Sequence, residues 1–305
     1  SDQTHDCARK AIQLLGFGSD HIRVLSSGPD YRLDPELLDR ALADDIARGR
    51  RPIAVIATSG SVNTGAFDDL GAISSVCRKH SVWLHVDGAF GVWTSLTRTH
   101  QHLVEGLDRA DSIVFDLHKW MYQIYDVGCV LIRDPVSHCE ALETHADYLA
   151  PLPGSVRDGA ADLSNYALQT HGVRTFGRQI EHNIELARYL TGKIETSPNV
   201  ELLTPTGLHI VNFRYVGRLT DADEIDRCNR HVVTSLQSDG TAVPSTTTLD
   251  GKFSIRVCFS GHRTELEDVD QVFDAILSLG SAYENRLACA AHPAGPASLA
   301  TCCGV

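Results

Sequence analysis

Apolar and polar positions follow two different periods along the first part of the chain. Short runs rich in apolar residues predict strands at 21–25, 53–58, 82–87, 112–115 and 127–132, and the run at 53–58 is nearly all apolar. Segments with helical spacing separate them, at 5–15, 34–49 and 68–80. Apolar strands that alternate with helices indicate a sheet covered on both faces. We therefore predict an α/β doubly wound fold, mostly parallel, for residues 1–150.

The pattern changes after residue 133. Mixed elements follow, with helical spacing at 175–196, 221–238 and 265–279 and strand patterns at 208–215, 241–243 and 253–259. We predict a connecting segment with a long helix over 151–196 and a smaller α+β domain over 197–283. Residues 284–305 are rich in Ala, Cys, Pro and Gly without any period, which is typical of a disordered tail.

Composition excludes several classes of function. The formal net charge is −12 and no block of Lys and Arg interrupts it, which argues against a nucleic-acid partner. No apolar run approaches the roughly 18 residues that a membrane span needs. Nine cysteines are scattered without a C-x-x-C pair, which is typical of core residues in a reducing compartment. We expect a soluble, cytoplasmic protein.

The histidines do not predict a metal site. His100 and His102 lie close together in the sequence. No set of Cys, His and Asp has an established ligand spacing, however, so we predict no metal.

One lysine stands in an unusual place. In the stretch FDLHKWMY, Lys119 follows His118 just after the fourth apolar strand pattern. A lysine amine is a nucleophile only when it is unprotonated, and burial beside another cation favours that form. Lys119 therefore suits a Schiff base. The stretch leaves an alternative open, in which Lys119 reaches solvent or pairs with Asp116 or Asp126.

An aspartate ends the third apolar strand pattern. In HVDGAF, the small residues Gly88 and Ala89 follow Asp87 and are expected to leave room for a flat ligand. The alternative is an ordinary helix cap or loop hydrogen bond. Ligands of α/β sheets bind at the carboxyl ends of the strands, where Asp87 and Lys119 are both predicted to lie. Pyridoxal phosphate needs such a pair, a lysine for its aldehyde and an acid facing its pyridine nitrogen.

Several longer stretches resemble one known family. They are TSGSVNTGAFDDL (58–70), WLHVDGAFG (83–91), ADSIVFDLHKWMY (110–122), YDVGCVLIRD (125–134) and SIRVCFSGHRTELEDVD (254–270). In this order they resemble the group II pyridoxal-phosphate-dependent amino-acid decarboxylases, relatives of the aromatic-amino-acid and glutamate decarboxylases. The resemblance covers about residues 1 to 280. It implies an aspartate-aminotransferase-like fold (PLP fold type I) and pyridoxal 5'-phosphate as the cofactor.

The resemblance also implies roles for residues around the cofactor. Lys119 would form the aldimine and Asp87 would face the pyridine nitrogen. Ala89 would lie under one face of the ring, and His5 would stack on the other face and assist catalysis. His118 would lie near the phosphate.

Two further positions match the family with an open alternative. Thr58 matches a threonine near the cofactor ring, and Arg256 matches a position that can hold the substrate carboxylate. Arg256 could equally be a surface residue on a strand edge. His5 could be an exposed histidine in a first helical turn.

The chain departs from the family pattern in two places. A Gly- and Ser-rich turn that holds the phosphate normally precedes the match to Ser1, so we expect an upstream segment to be missing. No tyrosine occurs from 149 to 165, where the family carries a loop with a catalytic tyrosine, and Tyr166 is the nearest candidate.

The sequence thus predicts decarboxylation of an L-amino acid to an amine and CO2, by a homodimer when full length. Two alternatives stay open. One is a catalytically impaired fragment or pseudoenzyme of the same family, and the other is an aminotransferase.

Overall fold

The computed structural model describes residues 1–142 and 172–291. The chain divides into two compact units, Ser1–His182 and Asn183–Val305. The predicted loop between 149 and 171, with Tyr166, and the final residues 292–305 lie outside the described residues. The domain boundaries inferred from the sequence stay predictions.

The first unit contains alternating helices and strands. Its helices are α1 (Cys7–Leu14), α2 (Pro35–Ala47), α3 (Leu70–His80), α4 (Pro135–Leu142) and the start of α5 (Val173–Thr196). Its strands are β1 (Ala54–Thr58), β2 (Trp83–Asp87), β3 (Ser112–Asp116) and β4 (Gly128–Ile132). Short 3-10 helices lie at Ser19–His21, Gly91–Leu96, Gln101–Val104 and Leu107–Arg109.

The four strands form one mixed, mostly parallel sheet in the order β1-β2-β3-β4. β1, β2 and β3 are parallel, and β4 pairs with β3 in the antiparallel direction. Val55, Leu84 and Val86 pack with Leu70 and Ile73 of α3 in a common core. The predicted α/β class is confirmed.

Coverage of both faces, which the sequence predicts, does not extend to β4. Val130 and Leu131 are 53% and 57% exposed. Four of the five residues of β3 are only half-buried, so the covered part of the sheet is centred on β1 and β2.

In the first unit, the strand predicted at 21–25 is wrong, and the start of one predicted helix is displaced by one residue. Residues 22–28 have no strand assignment, and the N–H of Asp2 donating to the carbonyl of Leu25 at 3.0 Å is a single contact, not a ladder. Helix α3 is capped by Asp69, whose carboxylate accepts the N–H of Ala72 at 2.9 Å. Asp68, the predicted start, instead bonds to the backbone of other segments. The predicted cap of α2 is confirmed, since Asp34 accepts the N–H of Glu36.

The second unit contains an antiparallel sheet in the order β5-β6-β8-β7. Its strands are β5 (Val200–Leu202), β6 (Ile210–Tyr215), β7 (Ser245–Leu249) and β8 (Lys252–Cys258), and its helices besides α5 are α6 (Ala222–Asp239) and α7 (Leu266–Ala291). β7 begins at Ser245, so the strand predicted at 241–243 is wrong. α7 continues to Ala291, beyond the start of the predicted tail. In the described ranges, no helix is both long and apolar enough to cross a membrane.

Candidate active site

Two of the predicted site residues are neighbours at one edge of the first sheet. Thr58 and Asp87 end the parallel strands β1 and β2 and are register partners. The N–H of Ser59 donates to the carbonyl of Asp87 at 2.8 Å, which extends the ladder by one step. Adjacent parallel strands lie about 4.8 Å apart, so the two side chains share this edge of the sheet.

Asp87 is buried, with 9% exposure. Its Oδ1 accepts the backbone N–H of Ala89 at 3.1 Å, which turns the chain away from the strand. A Cβ at Gly88 would lie 2.8 Å from Cβ of Val92 and 3.3 Å from the carbonyl of Val114. Gly88 is therefore required by packing within the protein. The room for a flat ligand beside Gly88 and Ala89 stays a prediction.

Thr58 is held by a second carboxylate. Asp68 Oδ2 accepts the N–H of Thr58 at 2.7 Å and its Oδ1 accepts the N–H of Leu33 at 2.8 Å. The side-chain oxygens of Thr58 and Ser59 are buried, and neither has a hydrogen-bond partner among the described residues. An unpaired buried hydroxyl is costly, and a polar ligand would satisfy it.

The turn that carries Lys119 is shaped by its apolar residues. Leu117, Trp120 and Met121 are buried, and Trp120 packs edge-on against Phe90 with ring centroids 5.7 Å apart. These contacts direct the intervening residues to the other side of the turn. Lys119 consequently has a side chain that is 41% exposed, which corrects the expectation that it is buried.

Lys119 forms an ion pair in this structure. Its Nζ lies 2.7 Å from Oδ2 of Asp116, the last residue of β3. This is one of the alternatives that the sequence left open. The other acidic candidate, Asp126, instead lies 3.8 Å from Nδ1 of His118.

His118 contacts the backbone of the following strand. Its Nδ1 lies 3.0 Å from the carbonyl oxygen and 3.1 Å from the nitrogen of Val127, so the tautomer decides whether it donates or accepts. Its Nε2 lies 3.8 Å from Asp116 Oδ2, and the ring of Tyr125 packs against it. The role of His118 near a phosphate stays a prediction.

The start of α1 lies within electrostatic range of the strand ends. Burial raises the pKa of the Cys7 thiol, the negative charge of Asp87 raises it further, and the positive charge of Lys119 opposes the shift. His5 is exposed, and its Nδ1 accepts the N–H of Cys7 at 3.2 Å. Cys7 thus links the segment of His5 to the Asp87 and Lys119 region.

Arg256 belongs to the second unit. It lies on β8, and its Nη1 donates to Oγ of Ser245 on β7 at 2.9 Å. Burial lowers the pKa of the nearby His209 to about 3, and the charge of Arg256 contributes to the shift. The predicted contact of Arg256 with a substrate carboxylate stays a prediction.

The residues of the first unit fit the chemistry of pyridoxal phosphate. Lys119 offers an amine in reach of solvent, and Asp87 offers a carboxylate at the neighbouring strand end. Thr58 and Ser59, whose hydroxyls have no hydrogen-bond partner among the described residues, lie at the end of β1 beside Asp87 at the end of β2. An aldehyde, a basic ring nitrogen and several oxygens are the groups that such a set can bind.

Three residues of this region were not identified from the sequence as part of the site. Asp68 resembled a helix cap, and only the adjacent Asp69, which could serve equally well as the cap, could have raised the question. Cys7 lies two positions after His5, and Ser59 directly follows Thr58. Their proximity in the sequence to two candidate residues was the available signal.

Comparisons with known proteins agree with this chemistry. Residues 1–216 match the model for the pyridoxal-dependent decarboxylase conserved domain. The chain belongs to the pyridoxal-phosphate-dependent decarboxylase family, among the group II relatives of the aromatic-amino-acid and glutamate decarboxylases.

Individual relatives support the same assignment. An aromatic-L-amino-acid decarboxylase of Bacillus atrophaeus is 32% identical over 307 residues, covering 96% of this chain and 64% of the relative. A phenylacetaldehyde synthase of Arabidopsis thaliana is 28% identical, and the match covers 90% of this chain and 60% of the relative. The chain thus spans less than two thirds of the length of these relatives.

The fold is also similar to solved structures. TDC of Oryza sativa, crystallised with PLP and tryptamine, is 27% identical with a TM-score of 0.84, covering 92% of this chain and 61% of that one. Mouse CSAD is 26% identical with a TM-score of 0.84, and the match covers 91% of this chain and 62% of mouse CSAD. The α/β fold is therefore that of pyridoxal-phosphate-dependent decarboxylase structures.

Proposed function

We propose that this chain is the part of an aspartate-aminotransferase-like enzyme that converts an L-amino acid to an amine and CO2 with pyridoxal 5'-phosphate. The observation that carries the proposal is the position of Asp87 and of the Lys119 turn, which follow adjacent parallel strands β2 and β3 at one edge of the sheet. Membership of the decarboxylase family supports it.

When bound, pyridoxal phosphate supplies an aldehyde that captures amino groups and a ring that accepts the electron pair left when a carboxylate departs. Lys119 offers the amine that holds the cofactor's aldehyde carbon between turnovers. Asp87 offers a buried negative charge that keeps a proton on the pyridine nitrogen, because an opposite charge nearby favours the charged form. Asp87 is fixed at the end of β2, and Lys119 lies in the turn that follows β3.

The remaining candidates would orient the ring and the phosphate. His5 would stack on one face of the ring, where its imidazole could hold or move a proton, and Ala89 would support the other face. The Thr58 hydroxyl would donate to an oxygen attached to the ring, which would satisfy its present lack of a partner. His118 would donate to the phosphate.

Arg256 would select the bond that breaks. A guanidinium that holds the substrate carboxylate fixes its position relative to the ring, and the bond perpendicular to the ring plane is the one that is weakened. The substrate is an L-amino acid. Aromatic amino acids are the first to test, because the relative from Bacillus atrophaeus is an aromatic-L-amino-acid decarboxylase.

The full enzyme is proposed to be a cytoplasmic homodimer. Two other outcomes stay open, the first because of the chain's shorter length and the second because Lys119 and Asp87 suit both chemistries. An impaired fragment or pseudoenzyme would bind the cofactor, or fail to bind it, without releasing CO2. An aminotransferase would convert the amino acid to a keto acid.

The test combines a spectrum with product analysis. Purified chain mixed with pyridoxal phosphate should gain the visible absorption band that the cofactor acquires when an amine captures it, and Lys119→Ala should lack the band. The loaded chain should then release CO2 and an amine from one member of a panel of aromatic, acidic and basic amino acids. A keto acid in place of CO2 would identify an aminotransferase, and a band without any product would identify an impaired enzyme. Absence of the band in the unmodified chain would contradict the proposal.

A further inference from the structure

The ion pair between Lys119 and Asp116 has a chemical consequence for the free protein. Nζ of Lys119 lies 2.7 Å from Oδ2 of Asp116, three residues earlier in the chain. The Lys119 side chain is 41% exposed and that of Asp116 is 20% exposed. The pair therefore stands at the surface of the proposed site, open to small reagents and partly shielded from water.

The carboxylate of Asp116 is fixed by its backbone. The N–H of Asp116 donates to the carbonyl of Ala89 at 2.9 Å, and its carbonyl accepts the indole N–H of Trp93 at 3.1 Å. Its register partner in β4 is Gly128, where an added Cβ would lie 3.2 Å from Asp116 Oδ1. The Asp116 side chain therefore lies beside Gly128 of β4, and the longer Lys119 side chain extends towards it.

Other charged groups around the pair leave Asp116 as the direct partner of Lys119. His118 Nε2 lies 3.8 Å from the same carboxylate oxygen, and the Cys7 thiol is within electrostatic range of Lys119, Asp116 and Asp87. Asp126 is 75% exposed and faces His118. Among the described acidic residues of this turn, Asp116 is the one whose carboxylate contacts Nζ of Lys119.

We propose that Asp116 is a positioning residue that holds the Lys119 ammonium at the end of β3 until this ammonium loses a proton and the resulting amine condenses with an aldehyde, releasing one water. An ammonium has no lone pair with which to attack a carbonyl carbon. Before it reacts, Lys119 gives one proton to solvent water, and this step also removes the ion pair. The inference rests on the proposed function of Lys119.

Acylation of lysines tests the inference without the cofactor. A limiting amount of acetic anhydride transfers one acetyl group to each free amine and releases acetate, and mass spectrometry measures the modified fraction of each lysine. Lys252 is an internal reference, because its Nζ lies 2.8 Å from Glu201 Oε1 and its side chain is 44% exposed. Its labelling also shows that a variant in the first unit has left the second unit folded.

Asp116→Asn keeps the size of the side chain and removes its charge. We expect the ratio of Lys119 to Lys252 labelling to rise by about two- to fivefold, the range that a partly exposed ion pair supports. Asp126→Asn removes a nearby charge that does not contact Nζ, and the ratio should stay unchanged. Asp116→Glu restores a carboxylate and should bring the ratio back towards the unmodified value, which a merely structural role of Asp116 would not explain.

Two results would overturn the inference. One is an equal ratio in the unmodified chain and in Asp116→Asn. The other is a ratio that Asp116→Glu leaves as high as Asp116→Asn does. Failure of the proposed function is a separate result, because the unmodified chain would then take up no pyridoxal phosphate whatever the labelling ratio is.

Discussion

Asp68 and Thr58 are joined by two hydrogen bonds across a bend in the chain. The Asp68 carboxylate accepts the N–H of Thr58 at 2.7 Å, and the N–H of Asp68 donates to the carbonyl of Thr58 at 3.0 Å. The same carboxylate accepts the N–H of Leu33. Asp68 thereby fixes the end of β1, where the proposed site begins.

Replacement of Asp68 should destabilise the first unit. Asp68→Ala leaves the N–H groups of Thr58 and Leu33 buried without an acceptor, and we expect a loss of about 1–3 kcal/mol in the free energy of unfolding. Urea unfolding at neutral pH measures it. Asp69→Asn removes the adjacent charge but keeps a good helix cap, so it should change stability by no more than about 0.5 kcal/mol. Equal effects of the two substitutions would contradict this role of Asp68.

The contribution of Asp68 should depend on pH with a definite sign. Burial raises the pKa of Asp68 above its ordinary value of 3.8, and the hydrogen bonds from Leu33 and Thr58 only partly oppose the shift. The folded state therefore holds this proton more tightly than the unfolded chain does. The part of the stabilisation that comes from this tighter proton binding is fully present below pH 3.8 and is lost as the pH rises through the raised pKa. The hydrogen bonds from Thr58 and Leu33 remain at neutral pH.

The measurement is the difference in unfolding free energy between the unmodified chain and Asp68→Ala as a function of pH. This difference should decrease as the pH rises from about 4. A difference that increases over that range would mean that the pKa of Asp68 is lowered in the folded state.

The structure shows which elements the sequence can predict. The strands near 54–58 and 83–87 are confirmed, and they lie side by side in the sheet. The strand predicted at 21–25 is wrong because a strand needs a neighbour, and apolar residues alone do not provide one. Two adjacent aspartates, Asp68 and Asp69, are equivalent in the sequence, so only the fold decides which one caps α3.

The candidate site was predictable to a similar degree. The positions of Asp87 and Thr58 follow from where apolar runs end, because parallel strands end at the same edge. The exposure of Lys119 does not follow from the sequence. It depends on how Leu117, Trp120 and Met121 enter the core, and that packing involves residues far away in the chain.

Asp87 should act on one atom of the cofactor. Asp87→Asn keeps an oxygen that can accept the N–H of Ala89 and removes the charge. We expect the affinity for pyridoxal phosphate to fall by about tenfold or more, because an opposite charge nearby typically shifts a pKa by about 1–3 units. Fluorescence titration measures the affinity.

A cofactor analogue provides the control for Asp87. With the pyridine nitrogen replaced by carbon, the analogue carries no proton for the carboxylate to stabilise. The unmodified chain and Asp87→Asn should then bind it with similar affinity. An equally large loss with the analogue would mean that Asp87 acts on some other group.

The thiol of Cys7 should report on the charge of Asp87. Asp87 and burial both raise the pKa of Cys7, and the thiolate is the form that reacts with iodoacetamide. Asp87→Asn should therefore increase the alkylation rate of Cys7 at pH 8 by about two- to fivefold. The exposed Cys139 is the reference within the same sample. An unchanged ratio of the two rates would show that Asp87 does not influence the start of α1.

The central claim is that Lys119 is the residue that captures pyridoxal phosphate. Borohydride reduction of the mixture makes any lysine adduct permanent, and peptide mapping by mass spectrometry then locates it. We expect the adduct on Lys119 in the unmodified chain and none at this position in Lys119→Ala, which should also lose the visible band. An adduct confined to a surface lysine such as Lys79, or an equal total yield in the two proteins, would contradict the account.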